Sequence, residues 1–374
     1  MGAQIVPCIM SRMQNAVNPW RVLIKGFIAF LVLEYALVWA IPDLRPLNLY
    51  AALQMKRARF PLSTRSPIDD ALDVGDLDTM FASHIVSSPK GAHEFRVLVL
   101  GDSAVWGLQL KPQQTLPGQL DALKLSCGDK DIKFYNLSFP RSSASKDLMI
   151  LDKALEFKPD LILWMVTWYT LMPKTRVDHW LITQNYAEFY KLGRRFDFLP
   201  QGYTPPAPAD TLAARNRQLF RETRFQLDAL IQLATGVDQF PGPPEVLPAT
   251  LSPDLTFEGL KPPTLNESQV SLDQVQDFHA LAGNIPVLLI NQPILIVSGV
   301  PNSNVRYDSY YPRWVYDQYR QYLGQAAAQH GWDYLDLWNM FPPAYYTDTP
   351  LHLNPRGQGL LAKTLAPAIQ ESCP

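Results

Sequence analysis

Three apolar runs, each ending near a turn, constrain the fold of this chain more than any other feature. They are RVLVL at residues 96–100, DLILWMV at 160–166 and IPVLLINQPILI at 285–296. Continuous apolar runs of this kind are typical of strands buried on both faces of a parallel sheet. Shorter apolar segments and helical patterns alternate with them: strands at 132–136 and 334–337, and helices at 116–125, 145–157, 310–330 and 358–370. The alternation predicts an α/β domain at residues 95–374 with a doubly wound parallel sheet.

Residues 171–284 interrupt this alternation, because they are too many for an ordinary crossover between two strands. Prolines cluster here, in QGYTPPAPAD at 201–210 and QFPGPPEVLPATLSPDLTFEGLKPPT at 239–264. The apolar spacing of residues 211–235 predicts a helix between the two clusters. Two interpretations of this Pro-rich helical insertion stay open. It either covers the functional edge of the sheet or forms a peripheral subdomain without a catalytic role.

A fourth apolar run follows an N-terminal tail at residues 1–21. Residues 22–41 read VLIKGFIAFLVLEYALVWAI, and twenty helical residues span about 30 Å, the thickness of a bilayer's hydrocarbon core. Trp20 and Trp39 lie near its ends, where interfacial aromatic side chains are favoured. The run therefore predicts a transmembrane anchor, followed by a connector at 42–94 with one short helix around 49–59. A signal peptide and a buried core helix are the alternatives, although no clear A-x-A cleavage site follows.

Two charged residues interrupt the predicted anchor. Lys25 lies near one end and can reach the interface, whereas Glu34 lies deeper and is costly against lipid. We expect the Glu34 carboxyl to be protonated or shifted toward the interface, or to contact a second membrane protein. Basic residues lie on both sides of the run, so the positive-inside rule does not decide its orientation.

A serine directly follows the first predicted strand, in LVLGDSAVWGLQL at residues 98–110. In open parallel sheets, ligands bind at the carboxyl ends of the strands. Amides at a helix N-terminus can also stabilise a developing oxyanion. Ser103 is therefore a candidate nucleophile. The alternative is that its hydroxyl only caps the helix that follows.

A histidine precedes the last predicted helix, in DTPLHLNPRGQGLLAKTLAPAI at residues 348–369. A serine nucleophile needs a base to accept its proton, and histidine is suited to this near neutral pH. The imidazole in turn needs a carboxylate to hold its tautomer, and Asp348 lies in the same loop. His352 and Asp348 are the candidate base and orienting acid, with a lone surface histidine as the alternative.

With these motifs, residues 96 to about 369 resemble the SGNH/GDSL hydrolase family. The nucleophile motif is GDS with Gly107, and DTPLHLNPRG corresponds to the C-terminal Asp/His motif. Two central motifs match less well: NLSFPRSS at 136–143 and PDLILWMVTWYT at 159–170. The resemblance implies a flavodoxin-like three-layer sandwich and an acyl-enzyme on Ser103. The six histidines are scattered and form no HExxH or paired-cysteine motif, so we expect no metal, and no cofactor is expected either.

The chain departs from the family pattern at three positions. Arg141 stands where the family has a glycine whose amide helps form the oxyanion hole, and an arginine amide can still donate there. Tyr169 stands where the family has an asparagine donor, so the resemblance gives an oxyanion hole of Ser103, Arg141 and Tyr169. Asp348 precedes His352 by four residues instead of three, and Thr349 takes the usual position of the acid. A one-residue bulge in the loop would bring Asp348 into place.

Two of the three cysteines lie where the predicted fold brings them together. Cys127 follows the first helix of the domain and Cys373 follows the last, whereas Cys8 precedes the apolar run. In a sheet of this order both helices pack on one face and end at the edge away from Ser103. We therefore expect a Cys127–Cys373 disulfide, which an exported domain would retain. Two free thiols are the alternative.

Two functions remain open from the sequence. The first is a serine esterase or O-acyltransferase of the cell envelope, since one N-terminal span before such a domain resembles proteins that O-acylate surface polysaccharides beside a multi-span partner. The second is an inactive subunit that binds a glycan or a membrane protein, which the altered oxyanion motifs favour. The location predicted for both is a membrane, with the C-terminal domain outside the cytoplasm. Nucleic acid is excluded as a partner by the net charge of -2 and the lack of a basic run.

Overall fold

A six-stranded sheet forms the centre of the domain. The computed structural model describes residues 18–40, 53, 56–62, 75–203, 211, 215–216, 220, 230–239 and 250–373. Its strands are β1 (Glu94–Leu100), β2 (Ser126–Cys127), β3 (Lys130–Asn136), β4 (Leu161–Val166), β5 (Val287–Asn291) and β6 (Asp333–Asp336). They lie in the order β2-β3-β1-β4-β5-β6, and only the β2–β3 pair is antiparallel.

The order of the five parallel strands is the flavodoxin-like one. The chain moves from β1 outward to β3, then returns to the other side of β1 and continues through β4, β5 and β6. The reversal lies between β1 and β4, where Val99 pairs with Leu163 and Leu100 with Trp164. Ligands of such sheets bind beyond the carboxyl ends of the strands at this reversal. The predicted α/β fold with a doubly wound, largely parallel sheet is confirmed.

Helices cover both faces of the sheet. The α-helices with described bounds are α1 (Pro19–Ala40), α2 (Leu77–Ser83), α3 (Ser103–Trp106), α4 (Leu116–Ala122), α5 (Ala144–Ala154), α6 (Trp180–Gln184), α7 (Tyr186–Arg195), α8 (Leu272–Ala282), α9 (Arg313–His330) and α10 (Pro355–Glu371). Helices α5, α8 and α9 contribute to one apolar core, and α4 and α10 to the other. Successive β1 side chains alternate between them: Leu98 and Leu100 enter the first core, Val97 and Val99 the second. This alternation is the two-residue period of a strand buried on both faces.

Residues 42–94 were predicted to be a connector with one short helix, and the described residues in this range depart from that prediction. Residues 57 and 59 do not continue a helix; Arg57 bridges His84, and Arg59 bridges Asn136 at the end of β3. Phe60 and Met80 are fully buried in the core that also contains Leu98. The segment 56–62 and helix α2 are therefore part of the folded domain. Burial of their apolar side chains stabilises their packing on the sheet.

The predicted insertion at 171–284 divides into parts with different roles. Helix α8 at its end packs against α5 and completes the β4–β5 crossover, so it belongs to the regular helical layer. Helices α6 and α7 follow β4 and also pack against α5. Within the helix predicted at 211–235, residues 215–216, 220 and 230–235 are helical, residue 211 is a bend, and the rest lies outside the described residues.

Helix α1 contains most of the predicted anchor. Every large apolar side chain described between residues 20 and 35 is exposed, including Phe27 and Leu31. Among the residues described here, none of the helices combines the length and the apolarity needed to cross a bilayer. The prediction of a spanning helix at 22–41 is therefore not confirmed, and residue 41 lies outside the described part. The Glu34 carboxylate accepts a hydrogen bond at 2.6 Å from the Asn216 side-chain amide of the same chain.

A disulfide joins the segments that follow α4 and α10. Cys127 in β2, just after α4, forms a disulfide with Cys373 after α10, at a Cα–Cα distance of 5.6 Å. Helices α4 and α10 contact each other along the same face of the sheet. The pair and its position are those expected from the sequence. Cys8 lies outside the described residues.

Candidate active site

Ser103, His352 and Asp348 form one hydrogen-bonded chain at the carboxyl edge of the sheet. His352 Nε2 lies 2.9 Å from Ser103 Oγ, and His352 Nδ1 lies 2.8 Å from Asp348 Oδ1. Burial raises the pKa of Asp348, but the hydrogen bond and charge of His352 outweigh it, so the net pKa lies below its ordinary value. A carboxylate at Nδ1 leaves Nε2 as the acceptor for the serine proton. The three residues have the arrangement of a nucleophile, a base and an orienting acid.

A small hairpin brings Asp348 to His352 despite the four-residue spacing. Tyr346 and Leu353 form an antiparallel bridge, and Thr347 donates its N–H to the His352 carbonyl at 2.9 Å. Thr349 Oγ1 accepts the His352 N–H at 3.1 Å, so Thr349 stabilises the turn. The extra residue is accommodated in this turn, and the carboxylate of Asp348 faces the imidazole.

The turn after β1 places Ser103 at the first position of α3. Asp102 caps this helix by accepting the Ala104 N–H at 2.9 Å. Gly107 ends the helix with φ +79°, a left-handed conformation that favours glycine. A Cβ at Gly107 would lie 2.4 Å from Thr115 Cγ2, which also excludes a larger residue. Helix α3 has only four residues, so its dipole is a minor contribution at Ser103.

Arg141 keeps the backbone conformation that the family's glycine implies. Its φ is +65°, a left-handed value that costs a non-glycine residue about 1 to 2 kcal/mol. Arg141 lines the same cavity as Ser103. Within the described part of the chain, no hydrogen-bond partner is found for the backbone N–H of Ser103 or Arg141. Unpartnered amides on residues that line the cavity are what an oxyanion hole requires.

Tyr169 lines the cavity, but its hydroxyl is bound elsewhere. It lies 3.2 Å from Glu258 Oε1, and Lys174 Nζ also contacts the Glu258 carboxylate. Burial and the charge of Glu258 raise the pKa of Tyr169 well above its ordinary value, so the hydroxyl keeps its proton. The Tyr169 ring packs edge-on against Tyr310, with ring centroids 5.8 Å apart. The side chain predicted as the third oxyanion donor thus forms part of the cavity wall and donates a hydrogen bond to Glu258.

The cavity above Ser103 has a volume of about 430 Å³ and mixed polarity. Its lining combines the reacting groups with charged and aromatic side chains: Asp102, Ser103, Arg141, Ser142, Tyr169, Lys174, Thr175, Asp178, Tyr310, Thr349, Leu351 and His352. Lys174 and its neighbours belong to the start of the predicted insertion. The insertion therefore contributes to the cavity at this end, whereas α7 and α8 pack on the sheet domain.

Two residues that support the site were missed by sequence reasoning. The buried Arg59 guanidinium donates to the carbonyls of Trp106, Gly107 and Leu110 at 2.8, 2.9 and 3.0 Å, fixing the end of α3. Asp102 accepts hydrogen bonds from Ser142 at 2.7 Å and from Gln292 at 3.1 Å, besides capping α3. The Asp102 carboxylate thus connects the loops that follow β1, β3 and β5. Only its place in the GDS motif could have indicated Asp102, and nothing in the sequence indicated Arg59.

Comparisons with known proteins found similar chains only among solved structures. No protein-family model and no curated protein sequence matches the chain. A carbohydrate acetylesterase family member from Sinorhizobium meliloti matches at 12% identity and a TM-score of 0.33, covering 74% of this chain and 98% of its own. A protein from Desulfitobacterium hafniense assigned to the G-D-S-L lipolytic family matches at 12% identity and 0.35, covering 73% and 98%. A lipase/acylhydrolase from Enterococcus faecalis matches at 12% identity and 0.39, covering 74% and 95%. The chain is similar to solved SGNH/GDSL-type proteins, the family that its sequence motifs resemble.

Proposed function

We propose that this chain is a serine esterase or O-acyltransferase that works through an acyl-Ser103 intermediate. The observation that carries the proposal is the unbroken hydrogen-bonded chain from Ser103 Oγ through the His352 ring to Asp348. A serine that only caps a helix needs no imidazole at 2.9 Å, and a surface histidine needs no buried position between a hydroxyl and a carboxylate. His352 is buried and has both partners.

The chemistry follows from these contacts. Ser103 Oγ attacks the ester carbonyl while His352 Nε2 takes the hydroxyl proton, and the carbonyl oxygen becomes an oxyanion facing the Ser103 and Arg141 amides. The intermediate collapses, His352 returns the proton to the departing alcohol, and the acyl group stays on Ser103. A second hydroxyl compound then repeats the steps in reverse. Water as this acceptor releases an acid, and a sugar hydroxyl gives a new ester.

The substrate class that we propose is an acyl ester of a cell-envelope carbohydrate or lipid. The cavity is large enough for a small acyl group and open enough for a bulky alcohol portion. Tyr169 and Tyr310 give it an aromatic wall, while Lys174 and Asp178 give it polar groups. Such a mixed lining suits a ligand with hydroxyl groups and an apolar ring face.

Hydrolysis of p-nitrophenyl acetate by the full chain, with and without an added alcohol acceptor, tests the proposal. We expect p-nitrophenol release that depends on Ser103 and His352. Acceptor added in millimolar amounts distinguishes the two reactions, because a transferase forms the acetylated acceptor in place of acetate. Absence of p-nitrophenol release above the Ser103→Ala background would contradict both forms of the enzyme.

The second candidate is an inactive subunit that binds a glycan or a partner protein. It is favoured by one observation: the Tyr169 hydroxyl donates to Glu258, so the usual side-chain donor of the oxyanion hole is not replaced by this group. Loss of one such donor slows acyl transfer by about 100 to 1000-fold. An inactive subunit would bind a glycan with the same affinity before and after Ser103→Ala, and would leave p-nitrophenyl acetate intact.

We also propose that helix α1 holds the chain at a membrane, with the sheet domain outside the cytoplasm. Support comes from the exposed apolar side chains of α1 and from the Cys127–Cys373 disulfide, which persists in oxidising compartments. A second membrane protein near Glu34 stays a prediction. Carbonate washing of membranes tests the attachment: we expect full-length chain to stay in the pellet and to require detergent, and release by carbonate alone would contradict it.

A further inference from the structure

Four side chains hold the loop that carries Arg141 through hydrogen bonds. The buried Lys146 ammonium donates to Phe139 O at 2.7 Å, and His179 Nε2 lies 3.1 Å from Pro140 O. Ser142 donates its hydroxyl to Asp102 at 2.7 Å, and Ser143 donates to the Thr175 carbonyl at 2.8 Å. Arg141, the residue with left-handed φ, lies at the centre of these contacts. Backbone strain of this kind persists only where the surroundings fix it.

The partners of His179 determine its tautomer. The Leu181 backbone N–H donates to His179 Nδ1 at 3.1 Å, so Nδ1 carries no proton. Pro140 O can only accept, so the proton is on Nε2 and is donated to that carbonyl. Burial, and next the charge of Lys146, lowers the pKa of His179 to about 3, so the ring stays neutral at physiological pH. His179 therefore acts as a fixed donor.

The carbonyl that His179 binds belongs to the same peptide unit as the Arg141 amide. This peptide bond is trans, so its C=O and N–H point in opposite directions in one plane. A donor fixed on the Pro140 oxygen thus sets the direction of the Arg141 N–H, and it also polarises that N–H as a donor. We infer that His179 is a positioning residue for the oxyanion hole, acting through the Pro140–Arg141 peptide. This inference rests on the proposed acyl transfer through Ser103.

The position of His179 suggests why the chain tolerates Arg141. His179 precedes α6, within the predicted insertion, and its side chain is 2% exposed. The insertion therefore contributes a contact to the site from outside the motifs that resemble the family. A glycine would take the left-handed conformation without support, whereas Arg141 needs the Pro140 carbonyl held in place.

Two substitutions at His179 separate its two hydrogen bonds. The bond to the Pro140 carbonyl positions the Arg141 amide, and the bond from the Leu181 N–H caps α6. Asparagine can accept the Leu181 N–H as a helix cap but is too short to donate to Pro140 O. Glutamine places an amide donor near the position of Nε2 but loses the cap. We expect His179→Asn to lower kcat for p-nitrophenyl acetate by about 10-fold or more, with KM within about 2-fold, because the oxyanion forms only after binding. We expect His179→Gln to recover most of this loss.

His84 is the matched control. It is fully buried, it accepts the Val86 N–H at Nδ1 and it donates from Nε2 to the Ala58 carbonyl, each at 3.0 Å. His84→Asn removes the same kind of contact outside the oxyanion loop. The Ala58 carbonyl adjoins Arg59, which fixes the end of α3, so kcat should fall somewhat but clearly less than in His179→Asn. A fluorophosphonate probe gives a second rate for every variant. This inference alone is overturned if the parent chain is labelled by the probe but the two Asn variants keep the parent's rates or lose them equally. A folded parent chain that neither labels nor hydrolyses ester overturns it together with the proposed function.

Discussion

His352 Nδ1 lies 2.8 Å from Asp348 Oδ1, although the two residues are four positions apart in a motif that usually spaces them by three. Thr349, at the usual position of the acid, binds the His352 backbone N–H instead. We therefore predict that Asp348→Asn lowers kcat by about 10³ to 10⁴-fold, because an amide at this position favours the wrong imidazole tautomer. Steady-state kinetics with p-nitrophenyl acetate measures it. The surface variant Asp333→Asn is the control, and equal loss in both would contradict the role of Asp348.

Arg59 connects the segment before the sheet to the nucleophile turn. Arg59→Met leaves the Leu110 carbonyl without its donor and removes one of two donors from the Trp106 and Gly107 carbonyls. We expect it to lower the free energy of unfolding by about 2 to 4 kcal/mol. We also expect a lower kcat, since the end of α3 is no longer fixed. Urea denaturation and kinetics measure the two effects. Arg57, which pairs with Asp238 at 3.0 Å, provides the control Arg57→Met, for which only stability should change.

Arg141 allows backbone and side-chain roles to be separated. Arg141→Gly keeps the amide and favours the left-handed φ, so kcat should stay within a few-fold of the parent. Arg141→Val retains an amide but resists φ +65°, and it should lower kcat by about 10-fold or more. If the glycine variant is as slow as the valine variant, the guanidinium and not the amide is the group that acts.

His84 and His179 each contribute stability that is lost as pH falls from about 6.5 toward 3. Burial lowers the pKa of His84 and His179 to about 3, whereas the unfolded chain binds these protons near pH 6.5. Between these values the unfolded state carries one more proton per histidine, so stability rises with pH by about 1.4 kcal/mol per unit for each. Urea denaturation at several pH values measures the slope. His179→Asn should reduce this slope by the contribution of one proton, about 1.4 kcal/mol per pH unit. An unchanged slope would contradict the burial of a neutral His179 ring.

The sequence predicted the fold because its signals are local. The apolar runs that became β1, β4 and β5 need no tertiary information to be identified as buried strands, and the motifs around Ser103 and His352 lie at strand and helix ends that meet in any sheet of this order. The Cys127–Cys373 pair follows from the same order.

The remaining features depend on contacts between distant residues. Arg59 lies in what the sequence predicts to be a connector, and its three carbonyl partners are known only once that segment packs on α3. Tyr169 was assigned as a donor by its position, but its hydroxyl donates a hydrogen bond to Glu258, 89 residues later. His179 has no motif, and its role depends on which carbonyl its ring reaches.

Covalent labelling of the folded full chain with a fluorophosphonate, located by mass spectrometry, tests the central claim most directly. The probe reacts with a serine only where a base and an oxyanion hole activate it. We predict one adduct, on Ser103, that is absent in Ser103→Ala and much slower to form in His352→Ala. A folded chain that remains unlabelled, or that is labelled equally after Ser103→Ala, would contradict the assignment of Ser103 as the nucleophile.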